Sequence, residues 1–363
     1  GREYQVATVR KARKEKRGVS AAATGAGKTV MMKAIVQALN LKTIVMVPTA
    51  ALLTQTHRSF KASDFDVGMV GGGHADFDKP VVVATAQSLY ARLAREGDLA
   101  EKLSEFGLFF FDECHQAQAE TYWDVIMECE APYRFGLSGT PLRNDIRKDF
   151  RLVGAIGPVI DHIRVFTLVQ QGFLAKPYVV RLPYRRVEGG QWYSRPYAHV
   201  YNHHVAENAE RNAAVVKAVE WLAHHGRTIL VVVRLKKHGK QLQKLLEEAG
   251  VKAQWVSGDT CSGQRDSVIR RLGDGELQCV IGTSIFDQGV DAPAIDAVVM
   301  AVGERADVRI PQRVGRGLRR KDGDNTCVIV DFLDTSHRWM KAQTRERNSI
   351  FQAMDAPIFM GWD

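Results

Sequence analysis

The chain has 363 residues, 45% apolar and 25% charged, with 31 Gly and 11 Pro; that is material for two cored domains and not for a disordered or fibrous chain. Lysine and arginine number 50 against 41 acids, and the net charge of +9 favours a polyanionic partner. No apolar run nears the ~18 residues of a membrane span. The cysteines (Cys114, Cys129, Cys261, Cys279 and Cys327) form no C-x-x-C pair, which argues against a zinc ribbon or disulfide framework and fits a reducing cytoplasm. No apolar signal segment follows the opening Gly-Arg-Glu-Tyr.

Along the chain, short β-branched runs alternate with helical stretches, the rhythm of a parallel sheet covered by helices. In the first half, strands are expected at Val19–Ala22, Thr43–Val47, Val81–Thr85, Leu108–Asp112 and Phe135–Ser138. Helices are expected at Lys28–Asn40, Ala50–Phe60, Gln87–Glu96 and Glu120–Cys129. Lys28–Asn40 shows why: Met31, Ile35 and Leu39 recur every four positions, with Met32 and Val36 beside them. Pro158 to Pro196, rich in proline, reads as irregular, and the domain boundary is expected near residues 160–175. In the second half, strands are expected at Tyr178–Leu182, Ile229–Val233, Gln254–Val256, Gln278–Gly282, Ala297–Ala301 and Val328–Phe332. The matching helices are Ala206–His224, Lys236–Ala249, Gln264–Leu272 and Val308–Gly315. The fold class is therefore α/β, with domains at 1–165 and 166–345 and a tail at 346–363.

Two local patterns carry chemistry. Ala22-Ala23-Thr24-Gly25-Ala26-Gly27-Lys28-Thr29 follows a strand and opens a helix. Small residues let several backbone N–H groups approach a phosphate, and the helix start adds partial positive charge. Lys28 then reaches the β- and γ-phosphates, and the Thr29 hydroxyl is suited to Mg²⁺. Ala22 stands where this motif usually has Gly. The second pattern, Asp112-Glu113-Cys114-His115, ends the apolar strand Leu108-Phe109-Phe110-Phe111. It puts two carboxylates at the ligand-binding edge of a parallel sheet. Asp112 suits Mg²⁺, and Glu113 suits a base for the attacking water.

With these residues in place, the sequence resembles the superfamily 2 helicases and translocases, built from two RecA-like domains with an ATP cleft between them. Tyr4-Gln5 resembles the adenine-reading element, and Ala22–Thr29 resembles motif I. Val47-Pro48-Thr49 is similar to motif Ia and Ala84-Thr85-Ala86-Gln87-Ser88-Leu89 to motif Ib. Asp112–His115 is a DECH form of motif II. Ser138-Gly139-Thr140-Pro141 resembles motif III, with Gly139 where many relatives carry Ala. Leu230–Val233 is similar to motif IV; Gly282-Thr283 with Asp287-Gln288-Gly289-Val290-Asp291 to motif V; Gln312-Arg313-Val314-Gly315-Arg316-Gly317-Leu318-Arg319 to motif VI. The Arg-Glu-Tyr-Gln start, Tyr133–Arg143 and Gly172–Pro177 look most like the XPB and bacteriophage UvsW group.

The resemblance implies ATP and Mg²⁺ as cofactors and a nucleic-acid partner, DNA before RNA, for a monomer in a bacterial or phage-infected cytoplasm. It implies that Arg316 and Arg319 act as arginine fingers with Gln312 near the γ-phosphate, and that Gly289 and Asp291 lie by the nucleotide. Fingers of this kind are worth ~10³–10⁵ in rate in GTPases. It further implies that Thr49, Thr85 and Thr283 touch the nucleic-acid backbone, and that His115, Ser138 and Thr140 couple ATP state to grip. Other readings are a DECH-type RNA helicase and the double-strand translocase motor of a restriction or remodelling complex. The basic run Arg10–Arg17 reads as a solvated helix face. Trp192, Tyr193, Tyr197 and Tyr201 read as hinge packing in preference to base stacking.

Overall fold

In the computed structural model the described residues are 2–95, 97–117, 119–142, 145–184, 195–283, 295–303, 315, 317–318 and 325–362. The chain divides into two units, Gly1–Arg164 and Val165–Asp363. Among the described residues no helix is long and apolar enough to cross a membrane.

Runs with no polar face become strands buried on both sides. This holds for β2 (Thr43–Val47), β5 (Val81–Thr85) and β6 (Leu108–Asp112) of the first unit, whose other strands are β1 (Arg17–Ala22), β3 (Val67–Gly71), β4 (His74–Ala75), β7 (Tyr133–Ser138) and β8 (Val159–Ile163). Their order across the sheet is β4-β3-β5-β2-β6-β7-β1-β8, parallel except for the β3/β4 pair. Helices α1 (Glu3–Glu15), α2 (Lys28–Leu39), α3 (Ala50–Lys61), α4 (Ala86–Leu93), α5 (Leu99–Ser104), α6 (Glu120–Glu128) and α7 (Ile146–Ile156) accompany the strands. The α2 stripe is as read: Met31, Met32, Ile35 and Val36 are buried. The basic end of α1 is exposed apart from Ala12, and it abuts the start of β1, the edge away from the phosphate loop.

The second unit holds α8 (Val165–Gln170), β9 (Lys176–Leu182), α9 (Tyr197–Tyr201), α10 (Ala209–His224), β10 (Ile229–Val232), α11 (Lys236–Glu248), β11 (Ala253–Val256), α12 (Ser262–Gly273), β12 (Cys279–Gly282), β13 (Ala297–Val299), β14 (Thr326–Phe332), α13 (Arg338–Ala353) and β15 (Ile358–Met360). The sheet order is β11-β12-β10-β13-β14-β9-β15, all parallel.

Three expectations need correction. Pro158–Pro196 is not irregular throughout, since β8, α8 and β9 lie in it. Pro177 is tolerated in β9 because of register. Lys176 N–H donates to Asn325 on the β14 side and Val179 N–H to Pro357 on the β15 side, so the missing N–H of Pro177 faces where β15 has not begun. Residues 346–363 are no tail: they complete α13, with Arg347 and Phe351 buried, and add β15 to the sheet. The Tyr197 and Tyr201 rings pack inside the second unit, against Trp339 and under the Arg234 guanidinium. Trp192 and Tyr193 lie outside the described residues, as does most of the expected helix Val308–Gly315.

The second unit also buries an ion network that sequence reading missed. Asp331 accepts from Arg181 at 2.7 Å and is ion-paired with Arg347 at 2.7 Å. Asp334 accepts from Arg347 at 3.0 Å, Arg211 at 3.0 Å and the Tyr184 hydroxyl at 2.9 Å. Arg211, Arg347, Asp331 and Asp334 have no measurable exposure. Three guanidiniums thus share two carboxylates. Removing one acid strands buried cations, so Asp334→Ala should lower unfolding stability in urea by about 3–5 kcal/mol.

His238 is buried beside this network and bonds Asn212 at 2.9 Å. Burial, with Arg211 near, lowers its pKa to about 3. The unfolded chain takes up a proton below ~6.5 that the folded chain refuses until pH nears 3, so stability falls as pH drops through this window. Denaturation at pH 7 and pH 5 checks this: His238→Gln should shrink the acid-side loss by about 2 kcal/mol.

Candidate active site

Because β1, β2, β5, β6 and β7 run in one direction, the loops leaving them open at one edge of the first sheet. β1 delivers the phosphate loop, and β6 delivers Asp112 and Glu113. β7 lies between β1 and β6 and delivers Ser138. Neighbouring strands are ~4.8 Å apart, so the side chains of the loop and the acid pair must reach across β7 to meet. They do: Lys28 Nζ donates to Glu113 Oε1 at 2.7 Å.

The loop backbone explains its composition. Gly25 and Gly27 have φ of 84° and 81°, a region that side chains avoid, while Ala26 between them is buried. Gly27 caps α2, and Lys28 and Thr29 form its first turn. Thr24 and Thr29 are half-buried. Tyr4 and Gln5, expected at the adenine, hold the loop itself: the Tyr4 hydroxyl donates to Ala26 O at 2.7 Å and Gln5 Nε2 to the same oxygen at 3.2 Å. A Cβ at Gly27 would lie 2.7 Å from Gln5 Nε2.

Glu113 sits at φ 55°, ψ 47°, a left-handed conformation that costs a non-glycine residue free energy. That turn directs the carboxylate back over the sheet edge. Its Oε2 lies 3.3 Å from His115 Nδ1, which also bonds Ser138 Oγ at 2.9 Å. Ser138 Oγ in turn accepts from Thr140 N–H at 3.3 Å. The three residues read as couplers therefore form one hydrogen-bonded line from the acid pair to the loop after β7. A Cβ at Gly139 would lie 3.6 Å from Ala22 O, an ordinary contact, so the departure from Ala is sterically neutral.

Burial disfavours charge on both acids, but the electrostatics separate them. Burial raises the pKa of Asp112, and the Glu113 charge adds to this. Burial works against the Glu113 anion too, yet Lys28 and then His115 outweigh it and hold that carboxyl low. Lys28 is shifted up: burial opposes its charge, and Glu113 and Asp112 overcome it. Glu113 Oε1 thus occupies the ammonium that a triphosphate would use. Asp112 accepts from Glu113 N–H at 3.0 Å through Oδ1. A hard divalent cation would suit this carboxylate and the Thr29 hydroxyl.

Thr49 and Thr85 have a structural task. The Thr49 side chain accepts from Leu52 N–H at 3.3 Å and caps α3; that of Thr85 accepts from Ser88 N–H at 3.2 Å and caps α4. Both stand at the same sheet edge as the acid pair. Thr283, directly after β12, is half-buried. Gln312, Arg316, Arg319, Gly289 and Asp291 lie outside the described residues.

Against this geometry, two family descriptions match the chain: "Type III restriction enzyme, res subunit" over residues 1–143, and "Helicase conserved C-terminal domain" over residues 210–321. With two parallel sheets and the phosphate loop and acid pair on one edge, they make the chain similar to the superfamily 2 helicases, and to the XPB and UvsW group among them. It is 27% identical, over 95% of its length and 84% of the relative's, to "DNA 3'-5' translocase XPB2" of Sulfurisphaera tokodaii. It is 24% identical, over 81% of its length, to "ATP-dependent DNA helicase uvsW" of Enterobacteria phage T4, and spans 60% of that protein. Of solved structures, "ATP-dependent Type ISP restriction-modification enzyme LlaBIII bound to DNA" shares the fold, with a TM-score of 0.72 at 17% identity, over 98% of this chain and 30% of that one.

Glu113→Gln should leave nucleotide binding equal or tighter, because it frees Lys28, while slowing hydrolysis by ~10²–10⁴. Lys28→Ala should lose binding and turnover together. Nucleotide titration beside phosphate release distinguishes the two outcomes.

Proposed function

We propose that the chain is an ATP-driven DNA helicase or translocase. The observation that carries this reading is the Lys28–Glu113 pair, a phosphate-binding ammonium held on a general base at the ligand edge of the first sheet. In this reading ATP takes Lys28 from Glu113, and the freed carboxylate orients and deprotonates the attacking water. Thr29 and Asp112 would hold Mg²⁺, which would supply charge neutralisation to the phosphates. Arg316 and Arg319, always cationic and forked, meet the charge that develops on the γ-phosphate, with Gln312 beside it. Gly289 and Asp291 border the nucleotide. The His115–Ser138–Thr140 line carries the nucleotide state toward the strand-holding edge.

DNA as the track is supported by the net charge of +9 and by the names of the two relatives. Thr49, Thr85 and Thr283 hold backbone phosphates, which fixes register without reading sequence. The boundary at 165/166, a monomeric state and a cytoplasmic setting belong to the same reading. Translocation on duplex DNA without strand separation is a second reading, favoured by the restriction-subunit match over residues 1–143.

Steady-state phosphate release with single-stranded, forked and four-way-junction DNA and with double-stranded RNA tests the proposal. Stimulation by DNA is expected; stimulation by RNA alone would move the chain to the RNA helicases. A triplex-displacement assay beside a fork-unwinding assay then separates the two DNA readings. Arg316→Ala should keep nucleotide binding and lower kcat by ~10³ or more.

A further inference from the structure

Helix α1 reaches the phosphate loop, yet its own composition does little to hold it in place. Its buried residues are Gln5, Thr8 and Ala12, of which only Ala12 is apolar, while Val6 is 40% exposed. A helix with so small an apolar face depends on specific polar contacts for its seat. Asp161 of β8 supplies them. Its Oδ1 accepts from Lys11 Nζ at 2.9 Å. Its Oδ2 accepts from the Thr8 hydroxyl, which is shared with Tyr4 O at 2.9 Å. Thr8 and Lys11, three positions apart, lie on one helix face, and each takes one oxygen of the same carboxylate.

One turn before Thr8 the same helix grips the loop. The two donors on Ala26 O, the Tyr4 hydroxyl and Gln5 Nε2, are themselves held. Arg2 Nη1 donates to the Tyr4 hydroxyl at 2.9 Å, and Arg2 N–H donates to Gln5 Oε1 at 3.0 Å. In a trans peptide the carbonyl and the following N–H point opposite ways. Drawing Ala26 O toward α1 therefore turns the N–H of Gly27, the cap of α2, away from it. Strand β8 also holds the loop directly. Ile163 O accepts from Ala23 N–H at 3.0 Å, and Asp161 stands opposite Ser20 in the pairing of β8 with β1. The loop is thus fixed at Ala23 and at Ala26, both times from β8.

We propose that Asp161, acting through Thr8 and α1, is a positioning residue for the phosphate loop. The clamp sets backbone that meets phosphate, so its effect is the same whichever base the nucleotide carries. Both ends of the Gln5 amide are engaged within it, on Arg2 N–H and on Ala26 O. The inference rests on the reading of Ala22–Thr29 as the phosphate-binding loop.

The test measures Kd for ATP, GTP and inorganic tripolyphosphate, each with Mg²⁺, beside thermal unfolding. The full chain is compared with Thr8→Val, Thr8→Ser, Asp161→Asn, Lys28→Ala and the double variant of Thr8→Val with Asp161→Asn. Thr8→Val keeps the shape and deletes the hydroxyl; it should weaken all three ligands by one common factor, about 3- to 10-fold. Asp161→Asn loses the charge and one acceptor, should act alike, and keeps the proposal testable if Thr8→Val does not fold. Thr8→Ser restores the hydroxyl and should bind within about twofold of the parent chain. The double variant should bind no more weakly than the weaker single one, because both break the same contact.

Unchanged Kd with only a lower Tm in Thr8→Val and Asp161→Asn would overturn the positioning role and leave the phosphate-loop reading intact. So would weakening confined to ATP, equal loss in Thr8→Ser, or losses that multiply in the double variant. Tripolyphosphate bound by Lys28→Ala as tightly as by the parent chain would overturn both.

Discussion

Parallel strand direction is the constraint on which the site depends. Only because β1, β6 and β7 end on one edge can a glycine-rich turn, two acids and a serine from distant parts of the sequence converge. The Lys28–Glu113 bond at 2.7 Å is the product of that convergence, and it spans the width of β7. The pair is also self-cancelling: each partner satisfies the charge that the other would offer a substrate. In the proposed reading a nucleotide would insert into an existing contact, and part of its binding energy would go to separating the two.

Much of this was legible beforehand, for physical reasons. Thr43–Val47, Val81–Thr85 and Leu108–Asp112 match their expected bounds because strands buried on both faces need unbroken apolar runs, which polar neighbours delimit. The α2 stripe was legible through its period. By contrast β3 contains Gly68 and Gly71, and β15 only three residues, so neither announces itself by composition. Helix α13 is largely polar, and its buried residues include Gln343, Thr344 and Arg347, which a hydrophobic pattern cannot reveal.

In the candidate site, two residues singled out by their motifs were recoverable as neighbours: Lys28 and Glu113 are 85 positions apart in sequence and hydrogen-bonded in space. The supporting roles were not. Tyr4 and Gln5 grip the loop carbonyl of Ala26, and Thr49 and Thr85 cap helices, tasks that only coordinates expose. The ionic cluster had one visible signal, an aspartate inside the otherwise apolar Cys-Val-Ile-Val-Asp-Phe run of β14. An acid there must find a cation, but nothing in the sequence says that Arg181 and Arg347 are the ones that meet it.

The left-handed backbone at Glu113 has an evolutionary corollary. Asparagine or glycine would sit more comfortably in that conformation, and loss of the carboxylate would still leave the sheet intact. In the proposed reading, glutamate is kept there at a cost in backbone free energy because its carboxylate does acid–base work. A lineage that lost this side chain would relax the turn and in the same step leave the Lys28 ammonium without its counter-charge, so the two positions should drift together.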